Sequence, residues 1–266
     1  MGNSDIKINK KCRKEVMTKV LICGSNGKMG RVVAEVVGRT DGCEVVAGVD
    51  VSENTDSKFP VYRSMEKIDV DVDVIIDFSH PSALTPILDY ARKHLIPVVL
   101  CTTGYDKNQV EEIKQASEVI PIFSSRNMSL GINLLIELSK KACEVLGSDF
   151  DIEIVEKHHN QKIDAPSGTA LMIADALVET RDVATQYVYD RHSYRKPREK
   201  SEIGIHTIRG GNIVGDHEVI FAGTGEVITV SHHAQSKDVF AVGAVKAAEF
   251  LINKKPKIYD MSDLIK

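Results

Sequence analysis

The densest concentration of reactive side chains in this 266-residue chain is Glu156-Lys157-His158-His159-Asn160-Gln161-Lys162-Ile163-Asp164-Ala165-Pro166-Ser167-Gly168-Thr169-Ala170. Two imidazoles and an ammonium lie a few residues from a Pro-Ser-Gly-Thr run that has the form of a helix start. Free N–H groups near Gly168 and Thr169, the Thr169 hydroxyl and these cationic side chains all favour negative charge, so the segment suits a ligand bearing carboxylates. Imidazole titrates near neutrality, which makes a histidine here a natural proton donor. A metal site fits poorly, because adjacent histidines at a strand end point in opposite directions and no third ligand stands at helical spacing. The plainer alternative is a solvated basic loop leading into a capped helix. His232-His233, at the end of a later predicted strand, reads as structural.

A second chemical signal is Gly24-Ser25-Asn26-Gly27-Lys28-Met29-Gly30, directly after the apolar run Val20-Leu21-Ile22-Cys23. Glycines at this spacing let the backbone turn tightly and approach a pyrophosphate, whose charge meets the N–H groups of the helix that follows. Asp50 ends the next apolar run about twenty residues further on, where a carboxylate accepts hydrogen bonds from an adenosine ribose. Together these predict a nicotinamide dinucleotide as cofactor. Cys101-Thr102-Thr103-Gly104 and Ser125-Arg126-Asn127-Met128 each follow a predicted strand, at the carboxyl ends where ligands lie in parallel sheets. Cys101 could alternatively serve as a nucleophile, as in semialdehyde dehydrogenases, although no nearby element offers it a base.

The elements that must position these groups follow from the pattern of apolar residues. Val20 to Cys23, Val45 to Asp50, Val72 to Phe78, Pro97 to Thr102 and Ile120 to Phe123 read as strands. Met29, Val32, Val33, Val36 and Val37 recur at helical spacing between the first two, and Pro81 to His94 and Lys107 to Ser117 also read as helices. Such alternation predicts βαβ units and a Rossmann-type parallel sheet. After about Ser129 come a long helix to Leu146, a strand over Ile152 to Glu156 and a helix over Gly168 to Val178. Residues 203–233 alternate in turn-punctuated segments and predict an antiparallel meander, while the charged stretch 181–201 predicts a surface excursion. Val239 to Leu251 is a small-residue apolar helix suited to packing back on the first domain. The expected organisation is therefore α/β in two domains: a dinucleotide-binding domain over 1–129, rejoined by 239–266, and a mixed, largely antiparallel α+β domain over 130–238 for substrate binding and oligomerisation. Residues 1–16 lack periodicity and read as a disordered lead.

Composition excludes several classes. With 34 Lys and Arg against 38 Asp and Glu, a formal net charge of −4 and no long block of like charge, no nucleic-acid surface is advertised. No run approaches the roughly 18 apolar residues of a membrane span, and the polar, basic start lacks a secretory h-region, so a cytoplasmic location is expected. The five cysteines (Cys12, Cys23, Cys43, Cys101, Cys143) are odd in number and contain no CxxC pair, as for reduced thiols.

The two signals occur in strings that resemble the dihydrodipicolinate reductases of bacterial lysine and diaminopimelate biosynthesis, the 4-hydroxy-tetrahydrodipicolinate reductase family. The resemblance covers essentially everything from Lys19 on. It rests on Gly24 to Gly30, Asp77-Phe78-Ser79-His80-Pro81, Thr102-Thr103-Gly104, Asn127-Met128-Ser129-Leu130-Gly131, Glu156 to Ala170 and Arg209 to His217. It implies hydride delivery from a nicotinamide cofactor to C4 of a cyclic imine dicarboxylate, with a proton added at C3 to give tetrahydrodipicolinate. By resemblance His158 is the proton donor and Lys162 the catalytic cation, while His159, Gly168 and Thr169 bind substrate. Gly24, Ser25, Asn26, Gly27, Lys28, Met29, Asp50, Cys101, Thr102, Thr103, Ser125, Arg126, Asn127 and Met128 would hold the cofactor. The resemblance also implies a homotetramer built through the meander sheets.

Four positions depart from the family pattern. Lys28 stands where many relatives carry Arg, and Cys101 and Arg126 stand where residues are commonly small. Val51 follows Asp50 where relatives that accept NADPH often have Arg, which removes a cation for a 2′-phosphate and leaves a carboxylate to repel it. NADH is therefore expected to serve at least as well as NADPH. The rival readings are another Rossmann dehydrogenase acting on a semialdehyde and a non-catalytic dinucleotide sensor.

Overall fold

The inner strands of the first sheet carry apolar residues on both faces, and the structure shows why. The computed structural model describes residues 17–52, 57–193 and 195–265, so the expected lead over 1–16 lies outside the described residues. Strands β1 (Thr18–Cys23), β2 (Cys43–Val49), β3 (Val61–Tyr62), β4 (Val74–Asp77), β5 (Val98–Leu100) and β6 (Pro121–Ser124) alternate with helices α1 (Lys28–Gly38), α2 (Leu84–His94) and α3 (Lys107–Ser117). Val20 and Ile22 of β1 bury one way, against Val33 and Val36 of α1, whereas Leu21 and Cys23 bury the other way, against Leu84, Ile87 and Leu88 of α2. A strand covered on both faces has no polar side to show. The helix expected from Pro81 starts as a 3₁₀ turn over Pro81–Ala83, with the His80 ring accepting the Ser82 N–H, before α2 proper.

The second half adds α4 (Leu130–Leu146), β7 (Asp151–His158), α5 (Gly168–Val178), β8 (Gln186–Val188), β9 (Glu202–Arg209), β10 (Gly215–Ala222) and β11 (Val227–Ala234). The chain then returns through α6 (Asp238–Leu251) and β12 (Lys257–Tyr259) to finish in α7 (Met261–Leu264). α6 lies on the α1 side of the first sheet, where Ala241, Ala244, Ala247 and Ala248 are buried with Val33 and Val37. A side chain at Gly243 would collide with the Met128 carbonyl oxygen, so small residues set how closely this helix seats. β12 pairs in parallel with β6, completing an all-parallel seven-stranded sheet in the order β12-β6-β5-β4-β1-β2-β3. At two and three residues, β3 and β12 are too short to carry an alternation signal, and neither was expected from the sequence.

The expected meander over 203–233 is corrected. The five-stranded second sheet runs β11-β10-β7-β9-β8, with β10 antiparallel to both β11 and β7, and β9 parallel to both β7 and β8. Thus β9 and β10, consecutive in sequence, are separated by β7. Alternation reports that one face of a strand is buried but carries no information about its neighbour. The excursion over 181–201 likewise contributes an edge strand, β8, rather than surface loop throughout. α4 and α5 cover one face of this sheet, enclosing Ile152, Ile154, Ile203, Ile205, Val219 and Phe221.

Candidate active site

In the first sheet, β1 lies between β2 and β4, so successive connections leave in opposite directions and open a crevice beyond their carboxyl ends. The glycine loop sits there. Gly24 has a φ of +76° and donates its N–H to the Val49 carbonyl at 2.8 Å, while a Cβ on it would lie 2.7 Å from the Phe78 carbonyl oxygen. At Gly30 a Cβ would lie 2.1 Å from the Gly24 carbonyl oxygen, so bare backbone at both positions is needed for α1 to start where it does. No side chain caps α1, whose N-cap is Gly27, and the N–H groups of its first turn remain available to an anion.

The Asp50 carboxylate is held in place by the Asn26 N–H at 2.9 Å and by the Ser52 N–H and hydroxyl at 3.1 and 3.0 Å. A cleft of about 390 Å³ extends from Gly24 and Asp50 over Val51, Arg63, Phe78, Ser79 and His80. Its size falls within the usual range for a bound small molecule. The chemistry of this donor set fits a dinucleotide: a helix start for the pyrophosphate, a carboxylate for ribose and an apolar wall at Phe78. Ser25 is buried beneath the loop, so its contribution to such a ligand is through backbone. Beneath Phe78, Asp77 is buried and accepts from the Ser79 N–H at 2.9 Å, the Ser79 hydroxyl and the Tyr105 hydroxyl. Burial pushes this carboxyl up, only partly offset by those donors. Cys101 hangs from the Asp77 carbonyl through its N–H, and burial raises its thiol well above the ordinary range, which removes the thiolate that a nucleophile requires.

The second chemical signal folds around one carboxylate. β7 alternates in burial, which places Ile152, Ile154, Glu156 and His158 on its inner face. Glu156 is fully buried, and its Oε2 lies 2.6 Å from His158 Nδ1. Arg209, beside His158 on β9, grips the same carboxylate with both terminal nitrogens at 2.8 Å and donates to the Asp164 carbonyl at 2.7 Å. The Ser167 N–H and the Thr207 hydroxyl complete the set at 3.0 and 3.1 Å. Burial alone would raise the Glu156 carboxyl, but the Arg209 fork, His158 and the Ser167 N–H outweigh it and hold it at about 2.

Ser167 caps α5, its hydroxyl accepting the Ala170 N–H at 3.1 Å and lying 3.2 Å from His217 Nε2. Thr169, on the first turn, receives a hydrogen bond from the Asn127 amide at 2.9 Å, and Arg126 pairs with Asp175 at 3.0 Å. The loop after β6 is thereby tied to the helix expected to bind substrate. Asn127, His158, Thr169, His217 and His232 line one small cavity of about 40 Å³. Three expected residues stand outside that wall: Lys162 pairs with Asp164 at 2.7 Å, His159 is half-buried in the same loop, and Gly168 is exposed at the first position of α5. The His217 ring packs edge-on to His158 with centroids 5.2 Å apart; burial and the nearby His158 push it down to about 3. The remaining expected cofactor residues sit at strand ends or on the first turn of α1. Cys101, Thr102 and Thr103 follow β5, Ser125 and Met128 flank Asn127 after β6, and Lys28 and Met29 open α1.

Sequence reasoning assigned no role to Glu156, Arg209, His217 or His232. The period-two rule was enough to put Glu156 on the same face as His158, whereas the others needed the true strand order. His232, read as structural, has its ring on the cavity wall, and His233 points to the opposite face beside Asp216 at 3.2 Å. Among the described residues, no group of three His, Cys, Asp or Glu side chains is arranged to hold a metal ion.

Comparison with known proteins adds a further line of observation. The family model for the N-terminus of dihydrodipicolinate reductase matches residues 18–128, and that for its C-terminus matches residues 131–265. A 4-hydroxy-tetrahydrodipicolinate reductase from Caldanaerobacter subterraneus subsp. tengcongensis is 53% identical over 252 residues, covering 94% of this chain and 99% of the relative. Its counterpart from Clostridium novyi is 47% identical over 250 residues, with 94% and 99% covered. Among solved structures, a dipicolinate-bound dihydrodipicolinate reductase from Paenisporosarcina sp. superposes with a TM-score of 0.79 at 23% identity, covering 94% of this chain and all of that one. At that identity the superposition speaks to the fold.

Proposed function

The chain belongs to the dihydrodipicolinate reductase family, and from that premise we propose how its own residues carry out the family's reaction. It is a 4-hydroxy-tetrahydrodipicolinate reductase, an NAD(P)H-dependent oxidoreductase acting on a cyclic imine dicarboxylate in lysine and diaminopimelate biosynthesis. The dinucleotide, when bound, supplies the hydride that goes to C4 of the substrate. The Gly24 to Met29 loop and the start of α1 take its pyrophosphate, Asp50 its ribose, and the loops at 101–103 and 125–128 its nicotinamide half. His158 gives a proton to C3 of the enamine that hydride addition leaves. Lys162 polarises the substrate, and His159, Gly168 and Thr169 hold its carboxylates at the N-terminus of α5.

One observation supports His158 above its neighbours. Three histidine rings share the cavity wall, yet only His158 is backed by a carboxylate, at 2.6 Å. His217 has a serine hydroxyl behind it and burial keeps it uncharged, so it is no acid near neutrality. At about 40 Å³ the cavity has room for roughly one water molecule. That is too little for a dicarboxylate ring, so the reading includes an opening of this wall to admit substrate and a closure that brings the reacting carbons together and excludes water.

NADH is proposed to serve at least as well as NADPH. Val51 is 93% exposed and offers no charge, and Asp50 keeps a carboxylate at the strand end with one oxygen held by the Asn26 N–H and the other by the Ser52 N–H. We further propose a homotetramer formed through the face of the second sheet left uncovered by α4 and α5, where Ile208 and Val227 are exposed. A cytoplasmic location agrees with the finding that no helix among the described residues is long and apolar enough to cross a membrane. The deciding assay follows oxidation of NADH and of NADPH, in parallel, with substrate generated from pyruvate and aspartate semialdehyde by a synthase. Rapid synthase-dependent oxidation is expected. Binding of both cofactors without turnover would favour a dinucleotide sensor, and a tenfold or greater preference for NADPH would overturn the reading of Asp50 and Val51.

A further inference from the structure

Glu156 meets every requirement of a group that governs a proton donor without touching substrate. We propose that Glu156, clamped by the Arg209 fork, is a positioning residue that keeps the proton of His158 on Nδ1 and so reserves Nε2 for delivering a proton to the substrate. The inference deepens the functional reading above and rests on it for the identity of the substrate.

An ionised carboxylate only accepts hydrogen bonds. Glu156 stays ionised over the working range because Arg209, His158 and Ser167 hold it low. The nitrogen 2.6 Å from its Oε2 must therefore carry a hydrogen, whether the ring is neutral or cationic. Nδ1 is thus committed as a donor, and the proton that comes and goes is the one on Nε2. Nε2 lies on the side of the ring toward Gly215, where even a Cβ would stand only 3.0 Å away, and the ring borders the cavity shared with Thr169 and Asn127. Proton delivery converts the imidazolium to a neutral ring that keeps its Nδ1–H on Glu156, and solvent restores the Nε2 proton.

The clamp itself limits how the carboxylate can act. Arg209 donates one hydrogen bond to each oxygen, and the Ser167 N–H and Thr207 hydroxyl donate two more to Oε1. Oε2 is left to His158 and one arm of the fork, so the carboxylate cannot rotate away without breaking several charge-assisted bonds. Because Ser167 also caps α5, the helix start expected to hold substrate and the ring expected to protonate it are referenced to the same group. Among the described residues, the other ionisable groups near His158 are Arg209 beside it on β9, His217 on β10, His232 on β11 and His159 next in the chain. α4 and α5 bring the polar Ser129 and Thr169 to the cavity wall.

The test compares Glu156→Gln with wild type in the folded, assembled enzyme. Glu156→Gln keeps the size but loses the charge and no longer fixes which nitrogen bears the proton. Its kcat is expected to fall about 10- to 100-fold near neutrality, with the alkaline limb of the kcat profile displaced by one to two pH units toward acid. The KM for NADH should stay within about threefold, as for a residue that acts through proton transfer. A Glu156→Gln enzyme of reduced activity with an unmoved pH limb would mean a structural role and overturn the proposal. Nitrogen-15 NMR of the histidine rings in the wild-type protein decides the matter even if the variant does not fold. A neutral His158 bearing hydrogen on Nδ1 is expected, and hydrogen on Nε2 with titration at Nδ1 would overturn it. That measurement needs no turnover, so a wild-type protein that fails to reduce the imine counts against the functional reading and leaves this one to be judged on the tautomer.

Discussion

Asp77 and Glu156 are both buried carboxylates at the carboxyl ends of inner strands, one in each sheet, and the protein treats them in opposite ways. Asp77 has Ser79 and Tyr105 as partners and no cation, so burial wins and its carboxyl is pushed up. Glu156 has Arg209 on both oxygens and His158 beside it, so its carboxyl is held down at about 2. The first carboxylate shapes the 77–80 loop that walls the dinucleotide crevice, where the expected ligand is itself an anion and a fixed negative charge would oppose it. The second stands behind the ring expected to donate a proton, where a permanent charge is required. What differs is the supply of compensating cations, and it follows what each site must hold.

The largest effect that separates the two regions is catalytic. His158→Gln removes the only ring on the cavity wall with a carboxylate behind it, and kcat is expected to fall by about 10²–10⁴-fold with cofactor binding intact. Stopped-flow measurement of NADH oxidation together with a fluorescence titration of NADH checks both halves. An unchanged kcat would remove His158 as the acid.

Next comes stability. Arg209→Met leaves Glu156 buried without its counter-ion, and loss of one partner from such a pair costs about 3–5 kcal/mol. Asp77→Asn keeps an acceptor for Ser79 and removes a charge that was never compensated, so a change within about 1 kcal/mol is expected. Urea unfolding of the two variants beside wild type measures the contrast, and similar losses in both would mean that the two carboxylates are not used differently after all.

How much of this contrast was legible in the sequence depends on the range of the interaction. The glycine loop, Asp50, His158 and the capped start of α5 are local features, and their residue types and spacing stated their chemistry. α3 and α5 were read with the limits the structure gives them, because capping and helical periodicity are also local. Glu156 was half legible, being two residues from His158 on a strand of period two. Arg209 was hidden because its meaning depends on β9 lying beside β7, and the meander reading had placed β9 next to β10 instead. His217 and His232 were missed for the same reason, since both reach the cavity from strands whose neighbours alternation alone does not specify. The tie between Asn127 and Thr169 joins residues 42 apart in the chain and has no sequence signature.

Acid provides a smaller and more selective comparison, with opposite signs at the two sites. Glu156 ionises more readily in the folded protein than at its ordinary value of 4.5, so its contribution to stability is complete above 4.5 and is lost as pH falls toward about 2. Asp77 is raised above 3.8 in the folded protein, so its buried charge opposes folding at higher pH and is relieved as pH falls through the raised value. Glu156→Gln should therefore flatten the loss of wild-type stability over that acid window, and Asp77→Asn should steepen it. Urea midpoints followed across the window read both slopes, and parallel curves for the two variants would contradict the assignment.

The smallest effect lies where the two regions meet. Arg126, in the loop after β6, and Asp175, on α5, form an ion pair at 3.0 Å whose side chains are 63% and 47% exposed. Water screens such a pair, so it resembles the Glu156 clamp in geometry but not in environment, and its contribution to stability is expected to be about 0–1 kcal/mol and weaker still in high salt. If this pair nonetheless helps to hold the α5 unit against the cofactor loop, Arg126→Ala should leave the unfolding midpoint almost unchanged while shifting the KM for substrate modestly, about two- to fivefold, with kcat little affected. Steady-state kinetics at low and high salt separate these outcomes. A salt-independent loss of several kcal/mol would show that an exposed pair is behaving as a buried one, and burial would then no longer explain why Asp77 and Glu156 depend so differently on a nearby cation.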